Sequence, residues 1–76
     1  MRTDLIVSEA LRSERKYGCF RSTHEAYGVL AEEMAELLDA IRANDLDAVR
    51  VEAVQVSAVA MRLANESDVL FRERSV

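Results

Sequence analysis

Residues 22–43 read STHEAYGVLAEEMAELLDAIRA, and this run decides the fold. Its apolar residues Tyr27, Leu30, Met34, Leu37, Leu38 and Ile41 recur at intervals of three and four, the period of a helix rather than a strand. Ser22 followed by Glu25 fits a capping box. The Ser22 hydroxyl would accept from the Glu25 amide, and the Glu25 carboxylate would reach back to the cap. The run therefore predicts a helix over about 23–43.

Upstream, Thr3 is a plausible N-cap, and Gly18 suits the left-handed position that ends a helix. A first helix is expected over about 4–17, although Leu5, Val7, Ser8, Ala10 and Leu11 make no clean stripe. Cys19, Phe20 and Arg21 form a short connection. Downstream, Asn44 and Asp45 break the second helix and can cap a third, expected over about 46–64. That third helix carries Val49, Val56, Val59, Ala60 and Leu63 on one side. Val51, Val54, Ala58 and Met61 lie on the opposite side. A helix apolar on both sides is buried on both. Three helices do not easily surround one of their own members, so the pattern points to a second chain. Asn65-Glu66-Ser67-Asp68 is expected to end the helix, and 65–76 receive no assignment.

Composition agrees with an all-α, three-helix chain. There are 76 residues, half of them hydrophobic, with no Pro and only two Gly. A chain this short usually needs a metal, disulfides or a partner chain to hold its fold. A disulfide within the chain is excluded, because Cys19 is the only cysteine. Metal binding or oligomerisation remains, and a homodimer or dimer of dimers is expected. The longest run without charge is the nine residues 53–61, far short of the ~20 that a membrane span needs. Arg2 and Asp4 sit where a signal peptide would begin its apolar stretch. A cytoplasmic protein with no membrane partner is expected. The net charge of −4 disfavours nucleic acid as a partner. Charge is also unevenly placed. Residues 12–21 carry Arg12, Arg15, Lys16 and Arg21 against Glu14, whereas 25–52 carry eight acids against Arg42 and Arg50. Solvated helix faces explain such blocks as readily as function does.

The carboxylates are the informative residues. Glu33 and Glu36 lie about 60° apart on one helix flank, with Glu33 at the border of the apolar stripe. Glu32 and Asp39 fall on the far side. Glu52 points into the Val49/Val56/Val59/Leu63 stripe, with Gln55 about 60° away. An ionised carboxylate in such a place must be neutral, paired or bound to metal. Two readings stand open. Three carboxylates converging across a helix pair would hold a hard cation such as Mg²⁺ or Mn²⁺. Alternatively Glu52 pairs with Arg50 or Arg62.

The run Glu32-Glu33-Met34-Ala35-Glu36, followed by Glu52-Ala53-Val54-Gln55, resembles the E-E-x-x-E and E-x-x-D motifs of the MazG-like branch of the all-α nucleoside triphosphate pyrophosphatases. The similarity runs from Ser22 to Leu63, a little over half of the chain. It implies a helical bundle completed by dimerisation, with Mg²⁺ held by Glu33, Glu36, Glu52 and the last motif position. It implies hydrolysis of a nucleoside triphosphate to monophosphate and pyrophosphate. In that scheme Glu32 or Glu36 orients the attacking water, and Arg12, Arg15, Lys16 and Arg21 bind the phosphates. One departure matters: Gln55 stands where the pattern has Asp, which removes a negative charge from the set. A non-catalytic oligomerisation or partner-binding module with a decayed metal motif is the rival reading. An adaptor whose acidic face docks on a basic protein is a third.

The remaining candidates are weaker. His24 has no companion for a zinc site and reads as a cap or surface residue. Cys19 has no base beside it in sequence. Tyr17, Phe20, Tyr27 and Phe71 read as packing residues before stacking ones. No glycine-rich phosphate loop is present, which excludes a P-loop enzyme.

Overall fold

Three helices account for the regular structure of the computed structural model, which describes residues 2–68. They are α1 (Thr3–Tyr17), α2 (Thr23–Arg42) and α3 (Leu46–Glu66). Among the described residues there is no strand. Helix α3 is the element that both others pack against.

Each turn has a chemical cause. Gly18 ends α1 at φ 76°, ψ −173°, a region open only to glycine and not the left-handed helical one expected. The Gly18 amide still donates to the Glu14 carbonyl at 2.8 Å. Arg2, not Thr3, precedes the first turn, and it offers no side-chain cap. Ser22 caps α2, accepting from the Glu25 amide at 3.0 Å. The Glu25 carboxylate accepts from the Arg21 amide at 3.1 Å, one residue before the expected partner.

The α2–α3 turn is a Schellman motif. Asn44 takes φ 56°, a left-handed conformation that Asn tolerates. Its amide donates to the Ile41 carbonyl, and the Asp45 amide donates to the Ala40 carbonyl. Asp45 then caps α3 by accepting from the Ala48 amide at 3.1 Å. One residue thus closes one helix and opens the next, and α3 folds back along α2.

The α2 stripe read from sequence divides in two. Ala26, Leu30, Glu33, Leu37 and Ala40, spaced by four and three, are buried or half-buried, and Ala26 and Leu30 of this row cluster with Val59 and Leu63 of α3. Ala26 joins Phe20 and Val59 in the core, with Val29, Leu30 and Leu63 packed around them. Tyr27, Met34, Leu38 and Ile41, expected in the core, are exposed. The two rows are offset by one residue, about 100° of helix rotation, and one neighbouring helix covers only one of them.

Helix α1 meets the second face of α3. Leu5, Ser8, Glu9 and Arg12 line a groove with Arg50, Val51, Val54 and Gln55. A chain neighbour therefore covers part of the stripe that the sequence reading gave to a second chain. Coverage is thin, since Val7, Leu11 and Val51 stay exposed. The buried apolar set is Ala10, Phe20, Ala26, Ala40, Ala58 and Val59, mostly small residues.

Helix α3 continues past the expected stop, through Asn65 to Glu66. The reason is a buried clasp. Arg62 and Glu66, 5 % and 4 % exposed, pair at 3.4 Å. Arg62 donates to the Gly18 carbonyl at 2.6 Å, and its guanidinium lies 4.2 Å from the Phe20 ring centroid. The Phe20 amide donates to Glu66 Oε1 at 2.6 Å. The last turn of α3 thus holds the α1–α2 connection. Residues 69–76, including Phe71, lie outside the described residues. No helix among the described residues is long and apolar enough to cross a membrane.

Candidate metal centre

The hairpin turn sets the register of the site. Asn44 lies eight residues from Glu36 and eight from Glu52, so the fold-back brings those two side by side. Glu33 is one turn farther from the apex on α2. One carboxylate oxygen from each of Glu33, Glu36 and Glu52 lies within 4.8 Å of the others. Glu33 occupies a core position of the α2 row, and both it and Glu52 are half-buried. Glu36 is exposed at the edge.

Among the described residues no cation pairs with Glu33, Glu36 or Glu52. Glu33 Oε2 and Glu52 Oε2 are buried and accept no hydrogen bond. Burial, then the Glu36 and Glu52 carboxylates, push the Glu33 carboxyl up to about 7. Burial and then Glu36 also raise Glu52. The alternative in which Arg50 or Arg62 neutralises Glu52 does not hold. Arg62 is committed to Glu66 and Gly18, and Arg50 lines the α1 groove.

The remaining site candidates fall elsewhere. Gln55 lines the α1 groove beside Glu9. The Arg12 guanidinium first, with Gln55 and Ser13 adding hydrogen bonds, holds the Glu9 carboxyl below its usual range. Arg12 is therefore already paired with Glu9. Glu32 is exposed and lines a cavity that it shares with Glu33. Arg15, Lys16 and Arg21 are exposed, and Lys16 lies 5.2 Å over the Tyr17 ring. Cys19 is a free, exposed thiol in the wall of the same cavity. His24 is exposed in the first turn of α2.

The clasp lies outside the sequence expectations, which give Arg62 only Glu52 as a partner. The signal was present in the sequence as Arg62 and Glu66 at i, i+4 on an apolar helix.

The trio can hold a hard divalent cation. Oxygens on opposite sides of a bound Mg²⁺ stand about 4.2 Å apart, comparable to the spread found here. Carboxylates with no sulfur nearby are the donor set such a cation takes. Buried carboxylate oxygens with no hydrogen-bond partner among the described residues are what a fitting cation would satisfy.

Comparison with known proteins gives no match to any family model, curated protein or solved structure.

Proposed function

We propose that this protein is a Mg²⁺-dependent nucleoside triphosphate pyrophosphohydrolase of the MazG-like type, working as a homodimer or dimer of dimers in the cytoplasm. One observation carries the reading: three carboxylates meet between two packed helices with no counter-charge among the described residues. A fold tolerates that arrangement when a ligand supplies the missing charge.

Glu33, Glu36 and Glu52 would hold the cation, with Mn²⁺ able to replace Mg²⁺. Bound there, it would supply Lewis-acid polarisation of the phosphate oxygens and offset charge developing at phosphorus. Gln55, turned to Glu9, stays out of the set in this reading. Glu32 keeps an unengaged carboxylate next to Glu33 and is the better placed of the two general-base candidates, since Glu36 is committed to the trio. It would accept a proton from water attacking the α-phosphorus. Arg12 is paired with Glu9, and Arg15, Lys16 and Arg21 sit at the end of α1 and in the α1–α2 connection rather than beside the trio, so in this reading the cation carries the phosphate charge. The products are a nucleoside monophosphate and pyrophosphate.

The exposed row Tyr27, Met34, Leu38 and Ile41 supports self-association through α2. The same row supports the rival reading, an oligomerisation module with no catalysis. Incubation with a nucleoside triphosphate panel, with and without Mg²⁺, separates the two. Metal-dependent pyrophosphate release that Glu52→Gln abolishes supports the enzyme. An inert protein that still forms dimers supports the module.

A further inference from the structure

The cavity that Glu33 shares with the α1–α2 connection has a volume of about 390 Å³, within the range of small-molecule sites. Tyr17, Phe20 and Val29 supply its apolar wall. Its polar lining is mostly acceptor. Glu25, Glu32 and Glu33 are there, and Arg62, the one cation in the described lining, is already matched by Glu66. Such a lining repels phosphate and receives an uncharged, flat group that offers hydrogen-bond donors.

Position then fixes orientation. Glu33 belongs both to the carboxylate trio and to the cavity wall. From Glu33 the wall runs back along α2 through Val29 to Glu25, eight residues or about 12 Å. That is the scale of the distance from the phosphates of a nucleotide to the far edge of its base. One Glu25 oxygen accepts from the Arg21 amide, and the other is left for a ligand.

We infer that this cavity takes the nucleobase and that Glu25 selects bases bearing an exocyclic amino group, adenine or cytosine, over the keto counterparts hypoxanthine and uracil. The inference rests on the pyrophosphohydrolase reading for the phosphate end. The base end stands on the cavity itself. An amino group donates to the free Glu25 oxygen. A keto group at the same place would set two acceptors against each other.

Glu25→Gln provides the test. Glutamine serves in a capping box, so its carbonyl can keep the Arg21 amide while its NH₂ faces the cavity. Binding of adenosine, inosine, cytidine and uridine to the full chain is measured without metal, by titration followed in NMR spectra. The native protein is expected to favour adenosine over inosine and cytidine over uridine by about tenfold, a charge-assisted hydrogen bond. In Glu25→Gln both ratios should fall to one or invert, with the melting temperature unchanged. Equal ratios in the native protein, ratios unmoved by the substitution, or no nucleoside binding would each overturn the inference. Pyrophosphate release from ATP, ITP, CTP and UTP with Mg²⁺ separates the two claims. Turnover at equal rates retains the enzyme and removes base selection. Intact ratios without turnover retain the cavity assignment and remove the enzyme.

Discussion

Helix α3 carries two groups of charge ten residues apart, at Glu52 and at Arg62, and their surroundings are opposite. At Arg62 opposite charges meet: a carboxylate, a backbone carbonyl, a backbone amide and an aromatic face surround the pair, although Arg62 Nε and Glu66 Oε2 face each other at 3.4 Å as an ion pair without a hydrogen bond. At Glu52 three carboxylates meet with no cation beside them among the described residues, and an oxygen of Glu33 and one of Glu52 are buried without a hydrogen bond there. Both groups lie on the one helix that packs against both others. The contrast lies in counter-charge rather than in burial: the clasp holds its cation, and the trio has none among the described residues.

Several measurements bear on that contrast. The largest effect is expected at the clasp. Arg62→Ala leaves the Glu66 carboxylate buried and unpaired, and should cost about 3 kcal/mol or more in denaturant unfolding. A loss below about 1 kcal/mol would mean that Glu66 reaches water, and the contrast between the two groups would disappear.

At the trio the sign reverses. Glu52→Gln removes one of three repelling charges, so the metal-free protein should become more stable, by about 1 kcal/mol. The same change should erase the rise in melting temperature that Mg²⁺ or Mn²⁺ produces in the native protein. A destabilised variant, or one with an intact metal response, would remove Glu52 from the site.

The pH dependence follows from Glu33, whose carboxyl is raised from its ordinary value of 4.5 to about 7 in the folded chain. Between those values the folded state holds a proton that the unfolded state releases. Stability therefore falls as pH rises from about 4.5 through about 7, by roughly 1–2 kcal/mol after solvent screening. Glu52 is shifted in the same direction and adds to the slope. A bound cation requires the charged carboxylates, so saturating Mg²⁺ should flatten the curve. Thermal melts from pH 4.5 to 8, with and without metal, give both curves. A metal-free protein that gains stability over that interval would contradict the trio.

The smallest effect is expected at Gln55. Gln55→Asp places a carboxylate beside Glu9 and leaves the trio as it is, at a cost of about 1 kcal/mol. The metal-dependent shift in melting temperature should stay within error of the native value. A clearly larger shift would mean that position 55 turns from α1 to the cation, restoring the motif that the sequence resembles.

Much of this was legible in the chain. The Ser22 cap, the Asn44-Asp45 turn and the helical periods are local, and local chemistry settled them. Glu33, Glu36 and Glu52 could be grouped because their spacing and the turn between them fix one register. Less legible were choices that depend on which neighbour arrives. Leu30 and Met34 look equivalent in the α2 pattern, yet Leu30 packs beside the core and Met34 is exposed. Arg62 stands ten residues, about 15 Å of helix, from Glu52 and only four from Glu66, so spacing favoured Glu66; what spacing could not supply was the Gly18 carbonyl and the Phe20 ring that complete the clasp.

The sequence by itself determined three helices, the N-caps of α2 and α3 and the hairpin between them. Those features are set within about four residues of each position, where backbone hydrogen bonds and side-chain caps act. Tertiary structure alone decided that α1 covers the second face of α3, that Arg62 closes on Glu66 and Gly18, and that no cation among the described residues reaches the trio. Those outcomes depend on which groups from distant parts of the chain occupy the same space. Helical periodicity says which side of a helix a residue is on, not what it will find there.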